Sequence, residues 1–347
     1  MMKRIAGALA LWLFVGSCVA TKVPEHKRVD CLPAPGGSES ECRRRGCVWD
    51  NNFSLRIGSA PRCYYPPHHG YKLKSSRTDR LVLKKKHPNT QWYGRDEQTL
   101  HADVSKIGKT LRVKIGTPTK RYEPPLDLPK TESVSADSLD FKPVNHSRGT
   151  FAFQVIRHSS QRALWDTTIG GLTFSDQFIQ IATFLPTHHI YGFGENPHMT
   201  LKHDLTEYKT WPMFAKDQPP YYGSEKRRNT YGVHPFYIGL EPDGKAHGVL
   251  ILNSNAQEYV TGPGPSLVYR TIGGLLDVYF FPGPTPDQVV QQYLSLIGKP
   301  TLPAYWALGF HLCRYGYYTL DNVKKTMQRT LDAQIPLDTQ WMDIDYM

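Results

Sequence analysis

The chain has 347 residues, a formal charge of +11, 39% hydrophobic and 12% aromatic residues. That length and that core-forming content exclude a disordered or low-complexity chain and point to two or three domains. A basic balance can signal nucleic acid or an anionic membrane, but no nucleic-acid-binding motif accompanies the densest runs, Lys84-Lys85-Lys86 and Arg43-Arg44-Arg45, so no nucleic-acid partner is expected.

At the N-terminus, Lys3 and Arg4 precede an apolar run from Ile5 to Val15, and small residues follow at Gly16, Ser17 and Ala20. This three-part pattern predicts a secretory signal peptide over residues 1–20, cleaved after Ala20. The run is shorter than the roughly 20 apolar residues a membrane span requires. No later segment is long and apolar enough, so no transmembrane helix is expected after signal removal. The expected destination is the secretory pathway, ending in the lysosome or outside the cell.

Six cysteines follow from this compartment. Cys18 would leave with the signal, and Cys313 stands alone far downstream and reads as a buried free thiol. Cys31, Cys42, Cys47 and Cys63 cluster near the mature N-terminus, which in a secreted chain predicts a disulfide framework. Sequons at Asn52 and Asn145 make these candidate glycosylation sites. The fourteen histidines show no metal-ligand spacing, and no metal or other cofactor is expected.

In chain order, residues 28–67 form a small cysteine-bearing unit that includes Arg45-Gly46-Cys47-Val48-Trp49 and Cys63-Tyr64-Tyr65-Pro66-Pro67. About 40 residues rarely bury enough apolar surface to fold unaided, so bridges are needed. Residues 68–285 read as β structure. Alternating runs at 111–115, 151–157 and 178–182 suit half-buried strands. Runs at 236–240 and 248–252 flank a turn at Pro242-Asp243-Gly244 and predict a hairpin. A further strand is expected at 278–281, and many short strands with turn punctuation predict a sandwich. A helix linking to the next region is expected over 286–300, with Val289, Val290, Tyr293, Leu294 and Ile297 on its apolar side and Gly298 at its end. From 301 onward the pattern becomes an apolar strand at 307–312, a helix near 320–333 and a strand at 338–344, the first unit of a parallel α/β fold.

Several segments carry a family resemblance. They are Ile190-Tyr191-Gly192-Phe193-Gly194-Glu195, Thr210-Trp211-Pro212-Met213-Phe214, Leu252-Asn253-Ser254-Asn255-Ala256 and Gly273-Gly274-Leu275-Leu276-Asp277. The run from Gly309 to Tyr317 and the run from Trp341 to Met347 complete the set. In this order they resemble the α-glucosidases of glycoside hydrolase family 31, in its animal lysosomal and intestinal branch, and the resemblance covers essentially everything after the signal. The 28–67 unit resembles a P-type trefoil. The implied fold is multidomain: a disulfide-rich trefoil, a β-sandwich, and the opening βαβ unit of a (β/α)8 barrel that stops at 347. A trefoil normally has six cysteines; two positions that partner each other are absent here, one of them occupied by Val48. The resemblance then implies the bridges Cys31–Cys47 and Cys42–Cys63.

The resemblance also implies site residues. Asp343, at the end of the second barrel strand, would bind hydroxyls of the non-reducing glucose; on the residues alone, such an acid either contacts ligand or supports the barrel. Ile344 would add an apolar wall or belong to the barrel core. Tyr315 would lie beside the glucose ring or be a core aromatic. Asp217 would hydrogen-bond the next sugar or be an ordinary turn residue. The implied reaction is retaining hydrolysis of terminal α-linked glucose by two carboxylates about 5–5.5 Å apart. The implied substrates are maltose, malto-oligosaccharides or glycogen. The family's nucleophile lies in a Trp-x-Asp-Met-Asn-Glu-like motif and its acid/base farther on; neither motif occurs here, so no catalytic residue is assigned and these 347 residues alone are expected to be inactive. The alternative is a carbohydrate-binding or trefoil-type interaction protein without catalysis.

Overall fold

A computed structural model describes residues 22–52, 58–67, 69–77, 79–86, 90–91, 93–129, 138–145, 149–219 and 227–347. The expected signal peptide lies outside these residues. Asn52 and Asn145 are both exposed, while the Ser of each sequon also falls outside. The chain divides into two compact units, Met1–Ile297 and Gly298–Met347.

In the first unit, the alternating runs become strands because one face of each is apolar. Phe151–Arg157, for example, pairs with Leu139–Asn145 on one side and Arg162–Asp166 on the other. Among the described residues the strands form two eight-stranded antiparallel sheets. One runs, in spatial order, Lys209–Met213, Gln257–Gly262, Ser266–Thr271, Ile179–Phe184, Arg162–Asp166, Phe151–Arg157 and Leu139–Asn145, with Thr173–Phe174 beside Ile179–Phe184. The other runs Ile190–Gly194, His234–Leu240, Ala246–Ile251, Leu276–Phe281, Thr110–Gly116, Thr99–Ile107, Arg80–Lys85 and Tyr71–Ser76. The expected hairpin is present, with Phe236 opposite Leu250 and Leu240 opposite Ala246. The inner faces share one core, where Trp165 meets Phe280 edge-on at 5.4 Å between ring centroids.

A charged pair is sealed between the sheets. Arg157 donates to both carboxylate oxygens of Glu241 at 3.1 and 2.6 Å, and to the carbonyls of Pro282 and Ala246 at 2.7 and 2.9 Å. Both side chains are fully buried. Burial pushes the Glu241 carboxyl up, but the hydrogen bonds and charges of His247 and Arg157 outweigh it and hold the group below its usual range.

The helix Pro286–Ile297 packs on the outer face of the second sheet, over Phe236, Leu250 and Phe281. It ends at Ile297, just before Gly298, and belongs to the first compact unit. Val289, Tyr293 and Leu296 face inward at i, i+4 and i+7, whereas Val290 and Ile297 fall on the flank and stay exposed.

The small cysteine-rich unit docks on the outer face of the first sheet, against Ala182, Val260 and Val268. Cys31 is bonded to Cys47 and Cys42 to Cys63, with Cα separations of 6.4 and 5.8 Å. The short helix Glu39–Arg44 starts in a capping box between Ser38 and Glu41. Gly46 closes it at φ +72, a left-handed conformation that favours glycine. Arg28 is buried over the Tyr64 ring and bonded to Asp50 at 2.6 Å. The basic runs are not patches: Arg45 turns inward to the Cys31 carbonyl, and Lys85 forms a buried ion pair with Asp96 at 3.2 Å.

The second unit holds two short parallel strands, His311–Leu312 and Thr339–Gln340, joined by the helix Leu320–Asp332. Both strands are shorter than expected. Tyr305–Leu308 curls into a 3-10 turn before the first, and Asp343–Tyr346 does so after the second. Among the described residues each strand has one neighbour, so hydrogen bonding extends the pair no further. Gly309 is required where it stands, since an added Cβ would run into the Asp338 carboxylate that accepts from the Phe310 N–H.

Arg157→Met should destabilise the fold by about 3–5 kcal/mol, the cost of leaving Glu241 buried without its partner. Denaturant unfolding measures it, and a change below about 1 kcal/mol would show that the pair is not fully desolvated. Asp30 is half-buried as a residue, but its carboxyl faces inward, accepting from the Leu32 N–H at 2.8 Å. Desolvation pushes it above its usual 3.8; Arg270, the Leu32 N–H and Arg45 oppose, and Glu258 adds to the rise. The fold therefore favours neutral Asp30, and that stabilisation is complete below pH 3.8 and lost as pH rises through the folded value. Asp30→Asn, which keeps the acceptor and removes the charge, should raise Tm at pH 7 and give little gain at pH 3. Equal gains at both values would rule out the charge as the cause.

Candidate functional site

Because the two strands of the second unit are parallel, their C-terminal ends emerge on the same side, as active-site loops do in α/β barrels. The first end leads into Cys313-Arg314-Tyr315-Gly316 and the second into Trp341–Tyr346. Two aspartates bind these segments differently. Asp345 Oδ2 accepts from the backbone N–H groups of Gly316 and Tyr317 at 3.0 and 2.8 Å. It thus fixes the loop after the first strand, and Gln340 Nε2 supports it by donating to the Leu312 carbonyl and the Tyr317 hydroxyl, both at 3.2 Å.

Asp343 has φ +58, a left-handed conformation that Asp tolerates better than most residues. Its Oδ1 accepts from the Ile344 N–H at 2.7 Å and its Oδ2 from the Cys313 thiol at 3.5 Å. No cation is paired with it among the described salt bridges, and a half-exposed carboxylate with lone pairs to spare can accept sugar hydroxyls. Tyr315 and Ile344 stand at the same end and present their apolar surface to solvent, 66% and 54% exposed. Neither is a core residue in this structure. Asp217 belongs to the other compact unit, exposed on the loop after the strand Lys209–Met213. In that loop the Gln218 N–H bonds the Lys216 carbonyl and the Lys216 N–H bonds the Thr230 carbonyl, at 2.8 and 2.7 Å.

Cys313 was expected to be buried and is exposed. Its apolar neighbours read as a core strand, but among the described residues no second layer covers this face of the unit. Partial desolvation at the strand end, then the hydrogen bond to Asp343 and its charge, hold the thiol above its usual value. Among the described residues, the only set of potential metal ligands lying close together is Cys31, Cys47 and Cys63, whose sulfurs are in disulfides. One residue that the sequence did not single out is Asn196, just beyond Gly194-Glu195. Its side chain bonds two separated backbone segments on either side of the Asp217 loop.

The chain thus combines a small disulfide-bonded unit, a two-sheet antiparallel sandwich and a βαβ unit with aspartates near its strand ends. Three family signatures match in that order: the P-type trefoil domain over residues 20–66, the glycosyl hydrolase 31 N-terminal galactose mutarotase-like domain over 69–259, and the glycosyl hydrolases family 31 TIM-barrel domain over 300–347. The chain belongs to glycosyl hydrolase family 31. It is 44% identical over 336 residues to human intestinal sucrase-isomaltase, covering 93% of this chain and 18% of that protein. It is 39% identical over 334 residues to mouse lysosomal alpha-glucosidase, covering 94% and 34% respectively. It therefore spans between about a fifth and a third of these relatives. A Flavobacterium johnsoniae GH31 dextranase complexed with glucose shares the fold, with a TM-score of 0.59 at 17% identity over 80% of this chain and 34% of that one.

The Cys313–Asp343 contact is testable on this chain. Asp343→Asn removes the charge that holds the thiol up, so the thiolate fraction rises and alkylation of Cys313 at pH 8 should run a few-fold, about 2–5-fold, faster. An unchanged rate would mean that the thiol does not feel Asp343.

Proposed function

We propose that this chain supplies the N-terminal part of a retaining α-glucosidase, which releases terminal non-reducing α-linked glucose from maltose, malto-oligosaccharides or glycogen in the secretory pathway. The observation that carries this reading is the ordered match of a trefoil domain and two glycosyl hydrolase family 31 domains, with Asp343, which has no salt-bridge partner among those described, just after a strand end. The disulfide-bonded trefoil suits an oxidising compartment.

In this reading Asp343 accepts two hydroxyls of the terminal glucose, since a carboxylate offers two oxygens and charge-assisted bonds are strong. Tyr315 and Ile344 offer apolar surface to the C–H faces of the sugar. Asp217 takes a hydroxyl of the sugar in the next subsite. Neutral hydroxyl-rich glucans, not nucleic acid, are the partners this chemistry suits.

The test is Asp343→Asn in the complete enzyme. Asn tolerates the left-handed backbone and keeps one acceptor, but loses the charge and turns donors toward the sugar hydroxyls. Losing two bonds of roughly 1.5–3 kcal/mol each should cut kcat/KM by about a hundredfold or more. Tm should stay within a few degrees of wild type. Wild-type kcat/KM together with a clearly lowered Tm would show that Asp343 supports the barrel and does not bind glucose.

A further inference from the structure

Asn196 lies in the short segment that follows the strand Ile190–Gly194. Its amide Nδ2 donates to two carbonyls at once, Pro212 and Arg228, each at 2.7 Å. Pro212 lies in the strand that enters the Asp217 loop, and Arg228 in the segment that returns toward the strand His234–Leu240. One side chain thus holds the backbone on both sides of Asp217. The amide cannot turn over. Its Oδ1 accepts from the Tyr259 hydroxyl at 3.1 Å, so both amide hydrogens are left for the carbonyls.

The group that orients the amide is itself fixed. Tyr259 is fully buried and stacks on Phe193 at 4.3 Å between centroids. Having given its hydrogen to Asn196, the hydroxyl accepts from His198 Nε2 at 3.1 Å. Desolvation, then the charges of His203 and Lys209, press His198 down to about 3. The imidazole is neutral across any working pH, and the relay does not switch. A second tie lies beside the first. Thr230 donates through Oγ1 to Glu195 Oε2 at 2.7 Å, and its carbonyl accepts from the Lys216 N–H at 2.7 Å, next to Asp217.

We infer that Asn196 is a positioning residue for the loop that bears Asp217, and through it sets how well the enzyme uses a substrate with a sugar in the second subsite. The inference rests on the reading of Asp217 given above. Two neighbouring observations support a role for this loop beyond folding. Phe214 and Tyr231, on the braced segments, are large aromatics left 56% exposed. Asp217 itself carries no salt bridge among those described and is exposed. The described segments 213–219 and 227–231, held by three buried or half-buried polar ties, present an acid and aromatics outward, as a binding edge does.

Asn196→Asp is the discriminating variant. It keeps shape and volume but sets an oxygen against two carbonyls, so both ties break while the core packing is untouched. The measurement, in the complete enzyme, is the ratio of kcat/KM for maltose to kcat/KM for an aryl α-glucoside, which has no second sugar. Asn196→Asp should lower that ratio about tenfold, equivalent to one lost charge-assisted sugar bond. Asp217→Ala should lower the ratio similarly, and the double variant should lower it no further than Asp217→Ala does, because the two residues act through one contact. Tyr259→Phe, which removes only the hydroxyl that orients the amide, should lower it about threefold; it is the readout if Asn196→Asp does not fold. If Asp217→Ala lowers the ratio and the Asn196 and Tyr259 variants do not, Asn196 is structural only and the inference is overturned, while the reading of Asp217 stands. If Asp217→Ala leaves the ratio unchanged, the reading of Asp217 falls, and the subsite role of Asn196 with it.

Discussion

Arg157 is the residue on which the first unit turns. Its guanidinium leaves one sheet and ends in the other, bonded to Glu241 and to the carbonyls of Ala246 and Pro282. Burying two charges costs several kcal/mol each unless their geometry is nearly saturated, and here it is. The consequence is register. A sandwich core of interchangeable apolar side chains tolerates sliding, whereas a planar donor that must meet four acceptors does not. The acceptors belong to the same turns that support the helix Pro286–Ile297, so the pair fixes the edge of the sandwich from which the chain passes to the barrel unit.

The trefoil shows how a small domain manages with fewer crosslinks. The resemblance calls for three bridges and the structure has two, with Val48 at one of the missing positions. A bridge contributes about 2–4 kcal/mol. Burying one or two aliphatic side chains contributes a similar amount, at roughly 1.5–3 kcal/mol each. Val29 and Leu32 are buried in a cluster shared with Ala182, Val260 and Val268 of the sandwich. The sheet supplies part of the core that 40 residues cannot build for themselves. Docking is also polar: the Tyr208 hydroxyl donates to the Glu25 carbonyl at 2.6 Å, tying the sandwich to the residues that precede Cys31.

The sandwich strands were legible because each has two faces in different surroundings, and alternation records that difference directly. Phe151–Arg157 and His234–Leu240 appear almost as the pattern drew them. The barrel strands were not legible in length. Residues 307–312 are apolar because a barrel strand is covered on both faces, so the pattern reports the surroundings such a strand is meant for. With one neighbour, only His311 and Leu312 hold a ladder. The same reasoning misplaced Cys313. Asp343, Tyr315, Ile344 and Asp217 were named through a family likeness, which transfers roles without contacts. Asn196 had no signal at all, since its two acceptors lie 16 and 32 residues away and only the folded backbone brings them to one amide.

The acidic groups around the strand ends divide the work by what already occupies their oxygens. Asp345 has taken two backbone N–H groups, and a carboxylate so engaged is part of the scaffold, holding the loop that carries Tyr315. Asp338, exposed, accepts one backbone N–H, that of Phe310 at the start of the first strand. Asp343 bonds one adjacent N–H and a weakly donating thiol, which leaves most of its lone pairs open. Three aspartates within eight residues look equivalent in the sequence. Bond by bond they are not: Asp345 is committed to two N–H groups of a distant loop, whereas Asp338 and Asp343 each take a single backbone N–H and keep lone pairs open. A sugar hydroxyl can displace water from such an oxygen at small cost, but it cannot displace a backbone N–H without unmaking the loop.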